Sequence, residues 1–371
     1  MIQSAPDSGM VAMLALEDGT LIEGPGFGSP GFMKGELVFN TSMTGYVEAL
    51  TDPSYSGQIL MLTNPLVGNY GVCSDDYESD RIWARGLVVR HSCNVPSNWR
   101  SEKSLHDFLN EFGVPGIMGV DTRLLTKKAR NYGTMKAALG VYHKGDLPPR
   151  EEILEAAKVQ PHISEVNLVD EVCVKEPRRI DVGGRLEAVL VDCGVKRSIV
   201  RQLTSRQVNV TLVPYNCPRE EVMGFDPDAV FVSNGPGDPA RVQATIGLIR
   251  ELAGKVPVAG ICLGLQLMGL ALGGRTYKLK FGHRGSNQPV KEIETGRVFI
   301  STQNHGFALD QRSLGGTGLE VTQLNLNDMT VEGIQHRELP LLAVQYHPEA
   351  GPGPHDTYFF FDRCIRMMEQ W

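Results

Sequence analysis

The seven cysteines, Cys73, Cys93, Cys173, Cys193, Cys217, Cys262 and Cys364, contain no C-x-x-C pair, are odd in number and lie far apart. This excludes a zinc ribbon and a disulfide framework, and it fits a reducing cytoplasm. Equally absent are a G-x-x-x-x-G-K-[ST] phosphate loop, a G-x-G-x-x-G turn and an H-E-x-x-H helix. There is no basic excess: Lys+Arg total 36 against Asp+Glu 43, a net charge of -7. The electrostatic footprint for nucleic acid or an anionic membrane is therefore missing, and the partners expected are a small molecule or a protein. One uncharged run, residues 256–274, nears membrane length, but Pro257, Gln266 and five glycines interrupt it. It reads as a strand, a sharp turn and a buried helix, so no membrane segment is expected. The opening MIQSAPDSGM has neither a basic region nor an apolar core, and no leader is expected.

What is present is an ordinary globular balance, 42% hydrophobic and 21% charged over 371 residues, enough for two domains. The N-terminal half reads as mixed β with few helices. A hairpin is expected from 12–16 and 20–23 around Glu17-Asp18-Gly19, with strands at 36–40, 58–63 and 86–90 and a short helix at 104–112. Residues 151–185 are charged and proline-punctuated, and they read as a connector carrying one helix, with the boundary near 181–185. Strand and helix then alternate: strands at 188–191, 208–213, 229–232 and 257–260, helices at 197–206 and 241–254. Later strands at 297–301, 319–322 and 341–345 precede a closing helix at 357–370. The fold class expected is α/β, a β-rich domain over 1–150 followed by a doubly wound domain over 186–371.

Three segments carry chemistry. Gly260-Ile261-Cys262-Leu263-Gly264 lies between a buried strand and an apolar helix and has the form of a nucleophile elbow with cysteine in place of serine. Its glycines permit a tight turn, and the helix start favours negative charge on the sulfur. The same pentapeptide also fits a buried structural cysteine. Tyr346-His347-Pro348-Glu349 follows an apolar strand. Side chains two apart in extended backbone share a side, so Glu349 could hold one imidazole tautomer of His347, or the pair could be a solvated surface couple. Ser233-Asn234-Gly235-Pro236-Gly237-Asp238-Pro239 is a stiff turn whose N–H groups could serve an oxyanion, or an ordinary βα loop. His283, His305, His336 and His355 show no metal-ligand spacing, and no metal is expected.

GICLG followed by HPE resembles the class I glutamine amidotransferases. The segments FNTSMTGYVEALTDPSYSGQIL (39–60), GVDTRLLTKKAR (119–130), SNGPGDP (233–239), KFGHRGSNQPV (280–290), TQNHGFALD (302–310) and HPEAGPGPHD (347–356) resemble the small-subunit family of carbamoyl-phosphate synthases over nearly the whole chain. The resemblance implies glutamine hydrolysis with Cys262 as nucleophile, His347 as general base and Glu349 as its orienting partner. It implies glutamine contacts at Ser54, Gly235, Gly237, Leu263, Gln266, Asn304, Gly306 and Phe307. It further implies a cytoplasmic heterodimer with a large subunit that binds ATP and Mg and makes carbamoyl phosphate for arginine and pyrimidine synthesis, this chain holding no cofactor itself. Many relatives carry His after the second elbow glycine, where this chain has Leu265. The rivals are the amidotransferase subunit of a different synthetase, told apart by which large subunit co-purifies, and a non-catalytic scaffold, told apart by a glutaminase assay.

Overall fold

A computed structural model describes residues 9–371. The leader reading falls largely on residues 1–8, which lie outside the described residues. The chain divides into two compact units, Met1–Val166 and Asn167–Trp371.

The first unit is a closed barrel. Its strands are β1 (Met10–Leu16), β2 (Leu21–Gly28), β3 (Gly31–Asn40), β4 (Gln58–Leu62), β6 (Gly86–Val88), β8 (Pro115–Ile117) and β9 (Met135–His143), joined in the order β1-β2-β8-β6-β4-β3-β9. A small separate pair is formed by β5 (Leu66–Val67) and β7 (His91–Ser92). The expected hairpin is present, with Gly19 at φ 91° and the Leu16 and Gly19 N–H groups closing the turn. Helices α1 (Tyr46–Thr51) and α2 (Leu105–Glu111) pack Tyr46, Leu50, Phe108 and Leu109 against Val38, Leu60 and Leu87 of the barrel. Ser104 caps α2 by accepting from the Asp107 N–H at 3.1 Å.

Helix α3 (Thr122–Tyr132) and strand β9 were not anticipated. Only Thr122, Leu125 and Ala129 of α3 are buried. So sparse an apolar stripe inside a basic run hides the helical period.

The stretch expected to be a connector, 151–185, is instead shared between the units. Helix α4 (Arg150–Val159) buries Ile153 and Ala157 against Met13, Ala15 and Ala138, and the Gln160 side chain donates to the Ala137 carbonyl at 2.8 Å. Beyond a one-turn helix, α5 (Val169–Val172), strand β10 (Arg178–Ile180) pairs with the second unit's sheet at Ile180 and Val210. The division therefore falls at Val166, ahead of the expected 181–185. Charge and proline marked exposed faces there, not free chain.

The second unit is built on a ten-stranded sheet. Besides β10 it contains β11 (Leu186–Asp192), β12 (Val208–Pro214), β13 (Ala229–Val232), β14 (Val258–Ile261), β15 (Thr276–Glu292), β16 (Val298–Leu309), β17 (Leu319–Asn325), β18 (Val331–His336) and β19 (Leu341–Val344). Their order is β10-β12-β11-β13-β14-β19-β18-β17-β15-β16, and β12, β11, β13, β14 and β19 are mutually parallel. Alternate residues of β11 enter opposite cores. Val189 and Val191 face helices α8 (Gln243–Leu252) and α9 (Leu263–Ala271) with α7 (Arg219–Gly224), while Ala188 and Leu190 face α6 (Arg197–Thr204) and α10 (Phe359–Gln370). Helices on both faces make the sheet doubly wound, as expected, and explain why its central strands are continuous apolar runs.

The antiparallel extension is longer than the sequence disclosed. Strand β15 spans 17 residues with register breaks between Lys278 and His283 and between Gly285 and Gln288, so its alternation is scrambled. Residues 256–274 form β14, the turn at Cys262 and the nine-residue α9; among the described residues no helix is long and apolar enough to cross a membrane.

Candidate active site

In an open parallel sheet, the loops at the strand carboxyl ends converge where strand order reverses. Here those loops carry Lys196 after β11, Ser233–Gly237 after β13, Cys262 after β14 and His347 after β19.

Cys262 occupies the turn between β14 and α9 with φ 55° and ψ −100°, a region that side chains seldom adopt. The flanking glycines are sterically required. A Cβ at Gly264 would lie 2.2 Å from the Val232 carbonyl oxygen, and one at Gly260 would lie 2.7 Å from the Gly264 carbonyl carbon. The turn is pinned by the Cys262 N–H donating to the Val344 carbonyl at 2.8 Å. The thiol is 2% exposed, donates to the Asn304 carbonyl at 3.7 Å and accepts from Gln345 Nε2 at 3.6 Å.

His347 is held by its own N–H, which donates to the Thr302 carbonyl at 2.9 Å. Its Nδ1 lies 2.6 Å from Glu349 Oε1, the shared side that the i, i+2 spacing predicted. That same carboxylate oxygen is 3.0 Å from Lys196 Nζ, which also donates to the Ala350 and Gly351 carbonyls at 2.8 and 3.0 Å. Lys196, His347 and Glu349 are all buried. Burial acts against the charge on Glu349, yet Lys196 and His347 hold its carboxyl down at about 2. Burial likewise opposes charge on His347, but the Glu349 carboxylate and then the Cys262 sulfur push it up to about 10. His347 Nε2 is buried with no hydrogen-bond partner among the described residues. The result is a buried line of ammonium, carboxylate and imidazolium that runs to the Cys262 sulfur. Such a line can orient a proton carrier beside a nucleophile.

The other expected residues distribute as follows. Gly235 is closely approached: a Cβ there would lie 2.1 Å from the Cys193 carbonyl oxygen. Gly237 has φ 86°. As the first residue of α9, Leu263 carries an N–H without an intrahelical partner. Gln266 Nε2 donates to the Phe307 carbonyl at 2.8 Å and to Gln345 Oε1 at 3.1 Å. Asn304, Gly306 and Phe307 lie on β16, with the Asn304 carbonyl against the thiol. Ser54 belongs to the first unit, where it is buried in the single turn Pro53–Tyr55 and its N–H donates to Asp52 Oδ1 at 2.9 Å. Leu265 is fully buried in the apolar core behind α9.

Lys196, Thr302 and Gln345 were missed. A lysine ahead of an amphipathic helix reads as a solvated cap. The available signal was its place directly after the first strand of the parallel sheet. The structure also gathers His283, His305 and Glu332, whose ligand-type atoms lie within 4.8 Å of one another, although no sequence spacing joins them.

The glutamine amidotransferase class-I family matches residues 189–367, and the carbamoyl-phosphate synthase small chain, CPSase domain, matches residues 14–139. The carbamoyl phosphate synthase small chain of Archaeoglobus fulgidus is 62% identical over 362 residues, covering 98% of this chain and 100% of the relative. That of Methanopyrus kandleri is 55% identical over 361 residues, covering 97% and 100%. That of Staphylococcus epidermidis is 48% identical over 358 residues, covering 96% of each. With so much of both chains matched at such identity, and both units covered by their own family models, this chain belongs to the carbamoyl phosphate synthase small chain family, with a class-I glutamine amidotransferase domain in its second unit.

Proposed function

We propose that the second unit hydrolyses L-glutamine to L-glutamate and ammonia through Cys262, His347 and Glu349. The chain then works as the glutaminase subunit of a carbamoyl-phosphate synthase. The observation that carries this reading is the 2.6 Å contact of Glu349 with His347 Nδ1, which leaves Nε2 as the working nitrogen beside a cysteine held in a strained elbow.

The chemistry runs in two steps. The sulfur, as thiolate, adds to the side-chain amide carbon, and negative charge collects on the amide oxygen. The Leu263 N–H at the start of α9 and the Gly237 N–H supply donors for that oxygen. The C–N bond then breaks while the His347 imidazolium gives its Nε2 proton to the leaving nitrogen, and ammonia departs. Water adds to the γ-glutamyl thioester as His347 takes up its proton, the C–S bond breaks, and glutamate leaves with the thiolate restored. Gly235, Gln266, Asn304, Gly306 and Phe307 of the second unit are assigned to binding glutamine.

Ammonia passes to a large subunit, the heterodimer partner, which binds ATP, Mg and bicarbonate and forms carbamoyl phosphate for arginine and pyrimidine synthesis in the cytoplasm. The absence of any phosphate-loop motif from this sequence supports that division of labour. The test is glutamate release from glutamine by the chain assembled with its large subunit. Carbamoyl phosphate should form in step with glutamate, and an assembled complex that releases no glutamate would overturn the reading.

A further inference from the structure

The strand that passes beneath the thiol is tied to a second buried polar group that the reaction above leaves unused. Glu332 on β18 is fully buried, and its Oε1 accepts from Gln303 Nε2 at 2.7 Å and from Asn325 Nδ2 at 2.9 Å. The far end of the Gln303 amide, Oε1, sits 2.7 Å from His305 Nε2. The other ring nitrogen of His305, Nδ1, sits 2.8 Å from the Phe307 carbonyl.

These contacts constrain the protons. A carbonyl only accepts, so Nδ1 carries a hydrogen. An amide oxygen also only accepts, so with Gln303 in this orientation Nε2 needs a hydrogen too, and His305 must be an imidazolium. Burial and the neighbouring His283 hold His305 well below its ordinary range, with Arg284 and His347 adding to the effect. The other arrangement turns the Gln303 amide over. Its nitrogen then donates to His305 Nε2, and its oxygen meets Glu332 Oε1, which is stable only when Glu332 is the neutral acid. Burial pushes Glu332 in that direction, up to about 7. The groups facing Glu332 are His283 on β15, Asp328 on the turn before β18 and Tyr346 after β19; His283 Nδ1 is 4.0 Å away, and its Nε2 is 2.8 Å from Asp328.

The chain of hydrogen bonds continues to the nucleophile. The Phe307 carbonyl that receives His305 Nδ1 also receives Gln266 Nε2 at 2.8 Å. Gln266 donates onward to Gln345 Oε1, and Gln345 Nε2 reaches the Cys262 sulfur at 3.6 Å.

We propose that Glu332 is a positioning residue for glutamine hydrolysis. As the neutral acid it directs a hydrogen through the Gln303 amide to His305, and so fixes the Phe307 carbonyl and the glutamine-binding strand beside Cys262. The proposal rests on the glutaminase reading and adds a residue to it. When the acid ionises, one of the two His305 contacts has no proton, and the Asn304–Phe307 segment loosens.

The experiment measures glutamate release across about pH 6 to 9 by the assembled complex carrying wild-type chain, Glu332→Gln or Glu332→Ala. Wild type should show KM for glutamine rising as pH passes above about 7, with kcat changing less. Glu332→Gln donates to Gln303 without titrating, so that rise should vanish. Glu332→Ala should raise KM roughly tenfold at every pH. An identical pH dependence of KM in wild type and Glu332→Gln overturns the proposal, whether or not the alanine variant folds. An infrared difference between wild type and Glu332→Gln at about pH 6 gives a readout independent of turnover. It should show a neutral carboxylic-acid carbonyl band present only in wild type, and its absence also overturns the proposal. Wild type that releases no glutamate sinks the glutaminase reading and this role with it, whereas active wild type with an unaltered Glu332→Gln profile sinks this role alone.

Discussion

Replacing Glu349 by glutamine separates the orienting role proposed for it from its electrostatic one. Its carboxylate stands between two buried cations, 2.6 Å from His347 Nδ1 and 3.0 Å from Lys196 Nζ. Two unit charges at about 3 Å and an effective dielectric near 20 attract by about 5 kcal/mol. Removing one member of a buried pair typically costs about 3–5 kcal/mol, because the other is left buried and uncompensated. The glutamine amide oxygen still accepts a hydrogen bond, so we expect Glu349→Gln to destabilise the chain by about 3 kcal/mol. Adding Lys196→Met removes the stranded ammonium, and the double variant should recover about 2 kcal/mol of that loss. In turnover, Glu349→Gln should lose about a hundredfold in kcat, since a neutral amide still holds one tautomer. His347→Asn should lose about ten-thousandfold, since the proton carrier itself is gone. Urea unfolding reads the first pair of effects and glutamate release the second. Additive stability losses in the double variant would refute the buried-pair argument, and equal kinetic losses in the two single variants would refute the division between orienting and reacting groups.

Cys262→Ser should abolish glutamine-dependent carbamoyl phosphate synthesis by the assembled complex while leaving synthesis from added ammonium salts nearly intact; loss of both would sink the division of labour, and retention of both would sink the nucleophile. Ser54→Ala should raise KM for glutamine more than it lowers kcat, and an unchanged KM would leave Ser54 as a turn residue beside the Asp52 cap. Glu349, held at about 2 against an ordinary 4.5, contributes stability that is complete above about 4.5 and is lost as pH falls towards 2. Acid unfolding followed by circular dichroism should therefore show a steeper loss in wild type than in Glu349→Gln, and parallel curves would contradict the charge pairing. Glu332, raised to about 7, acts with the opposite sign: its contribution is complete below about 4.5 and declines as pH rises through 7, so Glu332→Gln should flatten that decline in the urea midpoint.

How legible the molecule was in its sequence depended on how local the governing physics is. The elbow at Cys262 and the His347–Glu349 spacing could be read because a tight turn and an extended i, i+2 pair are set within five residues of chain. The parallel strands could be read because burial on both faces leaves uninterrupted apolar runs such as Ala229–Val232. Strand β15 could not, since its register breaks move side chains from one face to the other and leave Lys278, His283 and Gln288 in no simple alternation. The unit boundary was misplaced because the exposed charges of α4 hid the two residues, Ile153 and Ala157, that fasten it to the barrel.

Lys196 and Glu332 were invisible for a different reason: each is a charged-type residue whose burial depends on partners far away in sequence. Lys196 is enclosed by Glu349, Ala350 and Gly351, more than 150 positions later, and Glu332 by Gln303 and Asn325 on neighbouring strands. A lone lysine or glutamate reads as solvated because unpaired burial would cost several kcal/mol, so its burial is informative only once the partner is known. In the roles proposed above, the two residues act at opposite ends of the same site. Lys196 pairs with the carboxylate that contacts His347, and Glu332 connects through Gln303 to His305, which shares the Phe307 carbonyl with Gln266. Cys262 thus lies between two networks, the charged contacts of Lys196, Glu349 and His347 and the hydrogen bonds that run from Glu332 through Gln303 to His305. Variants at the first should show mainly in kcat and in acid stability, and variants at the second in the pH dependence of KM.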